Sequence, residues 1–155
     1  MNSDDHLLGT GKIVGDLHAL EFVIRIFLAE AASQKIELPG PTTRQLPETF
    51  VTNYMSLGDL IDTYNSVLES SENAYAVGTE AVKIRDAIAH GRVFTSEDFP
   101  VTLYKFGKVN DGMVPVEYAE VLSVDWLNQK CEFLMMQISN VLQCARKRGY
   151  QAIKK

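Results

Sequence analysis

Leu17, Leu20, Ile24, Phe27, Leu28 and Ala31 recur every three or four positions and draw one apolar stripe along a helix. The spacing predicts that helix from Thr10 to Ser33. Phe22, Val23 and Ile26 widen the stripe around most of the girth, as in helices covered on two sides. One side then faces the core, and the other faces either a second subunit or the remainder of its own bundle. Leu38-Pro39-Gly40-Pro41-Thr42-Thr43 cannot continue the helix, because proline lacks an amide hydrogen and glycine lacks a restricting side chain. Ser56 with Asp59 three residues on marks a second start, and Leu57, Leu60, Ile61, Tyr64 and Leu68 give a short amphipathic helix. After the break at Ser70-Ser71-Glu72-Asn73, Val77, Ala81, Ile84 and Ile88 form the core face of a third helix. Gly91 suits the left-handed position that closes such a helix.

From Val93 the period changes. Val101, Leu103 and Lys105 alternate with Thr102, Tyr104 and Phe106; Asn110-Asp111-Gly112 is a turn; Val114, Val116 and Tyr118 alternate with Pro115 and Glu117. The expectation is one β-hairpin, with Pro115 holding its strand at an edge. Ser123 caps a last helix whose stripe is Leu127, Cys131, Leu134, Ile138, Val141 and Ala145. The fold expected is therefore mainly α. It is an antiparallel bundle of four main helices in a single domain over 1–155, with a hairpin inserted over 93–122. The ends, 1–9 and 149–155, are expected to be mobile.

The length of 155 residues suits one core, and the hydrophobic share of 46% and charged share of 23% are those of a globular chain. A net charge of −5 argues against indiscriminate nucleic-acid binding, which needs many phosphate contacts, but leaves room for a local basic site. The start, Met1-Asn2-Ser3-Asp4-Asp5-His6, has neither the basic residues nor the apolar run of a signal peptide. The longest apolar stretch, Leu17 to Ala32, is broken by His18, Glu21, Arg25 and Glu30, so no membrane span is expected. Cys131 and Cys144 stand 13 positions apart on one predicted helix, a rise of about 20 Å, too far to bridge. Reduced thiols and a cytoplasmic location are the expectation.

The candidate chemistry lies at the end of the third helix. Asp86 and His90 are four apart and share a face. A carboxylate there fixes an imidazole's tautomer, and the helix C-terminus favours its charged form. Arg85 adds a planar fork of donors that fits phosphate, and Lys83 and Arg92 flank it as candidate substrate-binding residues. Arg85 and His90 differ by about 140° around an ideal helix. Convergence on one substrate needs Arg85 to reach round, or a second copy supplied by a two-fold dimer. Read as bare residues, the cluster suits a solvated Arg85–Asp86 ion pair beside a helix-capping histidine better than a catalytic site.

Other groups offer less. His6 lies in the N-terminal segment and His18 near Asp16 and Glu21, but no pair has metal-ligand spacing, so no metal is expected. Gly9, Gly11 and Gly15 follow no strand, which excludes a phosphate loop and leaves helix-start flexibility. Glu21 and Arg25, four apart in an apolar helix, form a structural ion pair or else support the Arg85 cluster. Arg146, Lys147, Arg148, Lys154 and Lys155 make a basic tail, frayed or adding phosphate contacts. Met135, Met136 and Trp126 read as packing residues.

Arg85-Asp86-Ala87-Ile88-Ala89-His90-Gly91 resembles the signature of the HEPN superfamily, the "higher eukaryotes and prokaryotes nucleotide-binding" domains: arginine, a polar residue, three variable residues, histidine, late in a helix of a bundle. An upstream helix carrying Leu20-Glu21-Phe22 and Arg25-Ile26-Phe27-Leu28, and a long amphipathic helix downstream, fit the outline. The resemblance implies a metal-independent endoribonuclease of toxin or defence type, without cofactor, acting on RNA as a homodimer. Arg85 and His90 would be catalytic, with Asp86 orienting His90 or the substrate. It also implies an alternative, because some members only bind or assemble: a non-catalytic module, or one governed by an antitoxin or other partner protein.

Overall fold

Nothing between residues 3 and 9 interrupts a helix except Gly9, and the missing side chain there is put to use. The computed structural model describes residues 3–38 and 40–152, with α1 running over Ser3–Ala31. A Cβ at Gly9 would stand 2.7 Å from Leu127 Cδ1, so glycine permits the close approach of the two segments. The start expected at Thr10 is thus corrected to Ser3. Residues 3–9 belong to the helix, and Gly9, Gly11 and Gly15 all sit within it. Pro39 and the basic residues Lys154 and Lys155 lie outside the described residues.

The chain divides into two compact units. The first takes residues up to Leu17 with Glu80–Leu134, and the second takes His18–Thr79 with the chain from Met135 on. Within the first unit, α3 (Glu80–His90) buries Ala81, Ile84 and Ala87. Ala87, not Ile88, completes its core face. Three strands follow: β1 (Arg92–Ser96), β2 (Phe99–Phe106) and β3 (Val116–Val121), an antiparallel meander in the order β1-β2-β3. The single hairpin expected over 93–122 is therefore corrected to a three-stranded sheet, and the protein has helices with a small sheet. Leu103 is buried, and α3 packs on β2. Pro115 sits immediately before edge strand β3, where its missing N–H costs no ladder bond. In the turn, Asp111 and Gly112 both have positive φ, 49° and 77°, the type I′ geometry that follows the twist of a hairpin. Pro100 lies in central strand β2, opposite the register shift between Phe94 and Ser96, where it displaces no regular pair.

Gly91 does not close α3 in the left-handed region, because the chain passes straight into β1. What glycine supplies is room: a Cβ would stand 2.7 Å from Leu103 Cδ1 and 2.9 Å from Tyr104 O. The expected left-handed glycine is found instead at Gly149, with φ of 76°. There Gly149 N donates to Arg146 O and Tyr150 N to Ala145 O, closing α4 (Val124–Lys147) with satisfied carbonyls.

In the second unit, α2 (Leu57–Ser66) opens with the expected box: Asp59 N donates to Ser56 Oγ and Ser56 N to Asp59 Oδ2. It buries Leu57, Leu60, Ile61 and Tyr64. The break at 70–73 is a short 3-10 turn, Ser70–Tyr75. Phe27 and Tyr64 meet edge to face at 4.9 Å, and the buried Tyr64 hydroxyl donates to Tyr75 O. Glu21 and Arg25 pair as the structural reading expects. Arg25 also donates to Phe50 O, Asn53 Oδ1 and Met55 O, so the guanidinium fastens the segment before α2.

Beyond α4 the described tail makes bonds back to its own unit. Arg148 bonds Glu72, and Gln151 N and Ala152 N donate to Glu30. Both cysteines are free and buried, and burial raises both thiols above their ordinary value. The stripe of α4 is buried throughout, from Leu127 to Ala145.

Candidate functional site

Alpha-helical spacing carries Arg85, Asp86 and His90 to the C-terminal half of α3, within the first unit. The inward residues of this stretch, Ile84 and Ala87, are fully buried, which turns the polar residues outward. Arg85 and His90 are exposed, and Asp86 is half-buried. Arg85 Nη1 donates to Asp86 Oδ1 at 2.9 Å. The second carboxylate oxygen faces Lys105 Nζ at 3.9 Å, and the same ammonium lies 3.0 Å from Glu117 Oε2. Asp86 thus stands between two cations. No hydrogen bond joins it to His90 among the described residues; its helical neighbour at i−1 and a lysine from β2 occupy it instead.

The two flanking candidates part company. Lys83 is exposed and points its ammonium at Glu80, 4.0 Å away, at the other end of α3. Arg92 opens β1, two residues beyond His90, and its guanidinium stands 5.7 Å from the centroid of the Phe106 ring. Lys105 was not assigned a role from sequence, although its signal was present. The alternation of β2 puts it on the same face as buried Leu103, and a cation on a helix-facing side requires a counter-charge. Asp86 and Glu117 supply it.

His6, placed in α1, has its Nδ1 buried without a hydrogen-bond partner, and it lines one pocket together with Thr95, Phe99 and Val101. His18 is exposed. No group of three His, Cys, Asp or Glu residues is placed to hold a metal ion among the described residues. No helix among them is long and apolar enough to cross a membrane. No family model matches the chain, and no curated protein or solved structure is significantly similar to it.

Proposed function

We propose that this chain is a HEPN-like metal-independent endoribonuclease, an antiparallel four-helix bundle with a sheet inserted before the last helix, acting on RNA as a homodimer. The observation that carries the reading is the exposure of Arg85 and His90 within six residues of α3, with the intervening Ala87 buried. Two such pairs brought together by a two-fold axis supply what the chemistry needs. Arg85 neutralises the non-bridging oxygens of the scissile phosphate. One His90 takes the proton of the ribose 2′-hydroxyl. The 2′-oxygen forms a bond to phosphorus, and the bond from phosphorus to the 5′-oxygen breaks. The leaving 5′-oxygen takes a proton from the partner copy's imidazolium. The products end in a 2′,3′-cyclic phosphate and a 5′-hydroxyl. The nucleophile belongs to the substrate, so no metal-bound water is called for. Arg92, which follows the helix end by two residues and enters none of the ion pairs of this unit among the described residues, adds positive charge there.

Incubation of the purified chain with mixed RNA in chelator tests this. Cleavage leaving cyclic phosphate ends, reduced about 100-fold or more in His90→Ala, is the expected result. Equal residual cleavage by the variant removes the proposal.

A second reading draws on the Arg85–Asp86 ion pair, which occupies the guanidinium before any phosphate arrives. In it the chain is a non-catalytic binding or assembly module, cytoplasmic and held by an antitoxin or other partner protein. Arg85→Ala and His90→Ala then change association or stability and leave no turnover to lose.

A further inference from the structure

The sheet of the first unit has one face turned to α3 through Leu103 and Lys105, and an opposite face lined by aromatic rings. Register places Arg92 opposite Tyr104 and Phe94 opposite Thr102, so these side chains share that second face. Phe94 and Tyr104 meet at 5.7 Å, and Tyr104 and Phe106 lie nearly parallel, 12° apart, with centroids 6.0 Å from one another. Across on β3 the paired residues are Ala119 and Val121, too small to cover the rings. All three rings are exposed or half-exposed. None of the paired positions on this face is acidic. The ion pairs of this unit, among the described residues, leave Arg92 out.

We propose that this face is a stacking platform for the unpaired bases of single-stranded RNA, with Arg92 holding the strand's phosphates at the β1 edge. Near-parallel rings on one strand offer their faces in a common orientation, as successive bases require, and a base stacks on an aromatic ring whatever its identity. A duplex hides its base faces and cannot use such a surface. The chain's net charge of −5 gives little general attraction for a phosphate backbone, so stacking has to supply much of the affinity. Arg92 beside the exposed rings selects an anionic, base-bearing ligand over an apolar protein segment, while Glu120 and Asp125 line the groove on the β3 side of Tyr104 and turn phosphates toward the Arg92 edge. The choice of RNA over DNA rests on the nuclease reading above; the stacking itself does not.

The test measures binding of the full chain to a fluorescent single-stranded 2′-O-methyl oligouridylate, which lacks the attacking hydroxyl and stays intact. Phe94→Leu and Tyr104→Leu are expected to weaken binding roughly 5- to 100-fold each, and Tyr104→Phe to bind as the wild type. Arg92→Gln is expected to lower the slope of log K against log salt by about 0.7, a change the leucine variants do not show. Circular dichroism checks that each variant is folded. Wild-type affinity in Tyr104→Leu overturns the platform, as does failure of the wild type to bind. A wild-type dimer that Tyr104→Leu dissociates also overturns it, by assigning the face to a second copy. Binding lost in the leucine variants without any His90-dependent cleavage of ordinary RNA leaves the platform standing and removes the nuclease. His90-dependent cleavage with unchanged binding in both leucine variants does the reverse.

Discussion

Arg148 clasps Glu72 with both arms of its guanidinium, Nε donating to Oε1 at 3.0 Å and Nη2 to Oε2 at 2.5 Å, across 76 residues of sequence. The Glu72 carboxylate is almost wholly buried, so removing its partner would strand a charge. Nη2 also donates to Val67 O, so the same arginine fixes the end of α2. Arg148→Ala is expected to cost about 3 kcal/mol, and thermal denaturation should show a midpoint lower by on the order of 10 °C. A midpoint unchanged within about 1 °C would mean the pair is ornamental to stability.

The pair also sets an acid limit. The hydrogen bonds from Arg148 hold the Glu72 carboxyl down at about 2, below its usual value near 4.5. A depressed carboxylate contributes its stabilisation above the unfolded-state value and loses it as pH falls toward the folded one. Stability should therefore decline between about pH 4.5 and pH 2. Glu72→Gln should flatten that part of the profile while lowering stability at pH 7. Denaturant titrations at a series of pH values measure both effects, and parallel profiles for the two proteins would refute the assignment.

Glycines at three positions should respond differently to alanine. Gly11 has open space where a Cβ would go, and it lies inside α1, so Gly11→Ala should stabilise by about 1 kcal/mol through helix propensity. At Gly9 the new methyl meets Leu127 Cδ1, and at Gly91 it meets Leu103 and the backbone of Tyr104. A leucine end can swing aside, but a backbone carbonyl cannot. Gly91→Ala should thus be the worst of the three, costing about 2 kcal/mol or more by overpacking, with Gly9→Ala in between. Any other order in chemical denaturation contradicts the packing described.

What the sequence made legible was local chemistry. Ser56 and Asp59 announce their helix because both halves of the box lie three residues apart. Asp111-Gly112 announces its turn because two positive φ angles favour those residue types. Glu21 and Arg25 meet at helical spacing. Strand β1 escaped because every residue in it is exposed, so neither face imposes an apolar alternation. The clasp of Arg148 on Glu72 and the approach of Lys105 to Asp86 join distant segments, and no period in the sequence records them. At the candidate site, Arg85, Asp86 and His90 occupy the helix end their spacing placed them on. Asp86 takes the Arg85 partner its sequence position offers and not His90, and tertiary packing adds a lysine that no local pattern announces.

Asp86 sits between Arg85 and Lys105, and its charge partly cancels the two groups that a phosphate would seek. Asp86→Asn keeps the shape and a hydrogen-bond acceptor while removing the charge. The carboxylate is about one-third exposed, so its removal should cost stability little, within about 1 kcal/mol. Under the ribonuclease reading, freeing Arg85, with Lys105 still held by Glu117, should tighten RNA binding by roughly 3-fold at low salt and steepen its salt dependence by about 0.7 for the phosphate gained. If Asp86 serves instead to aim Arg85 at the substrate, the same change lowers the cleavage rate and leaves the salt slope where it was. Measuring affinity and cleavage rate together at three salt concentrations separates these cases, and a variant with neither property altered would remove Asp86 from the site.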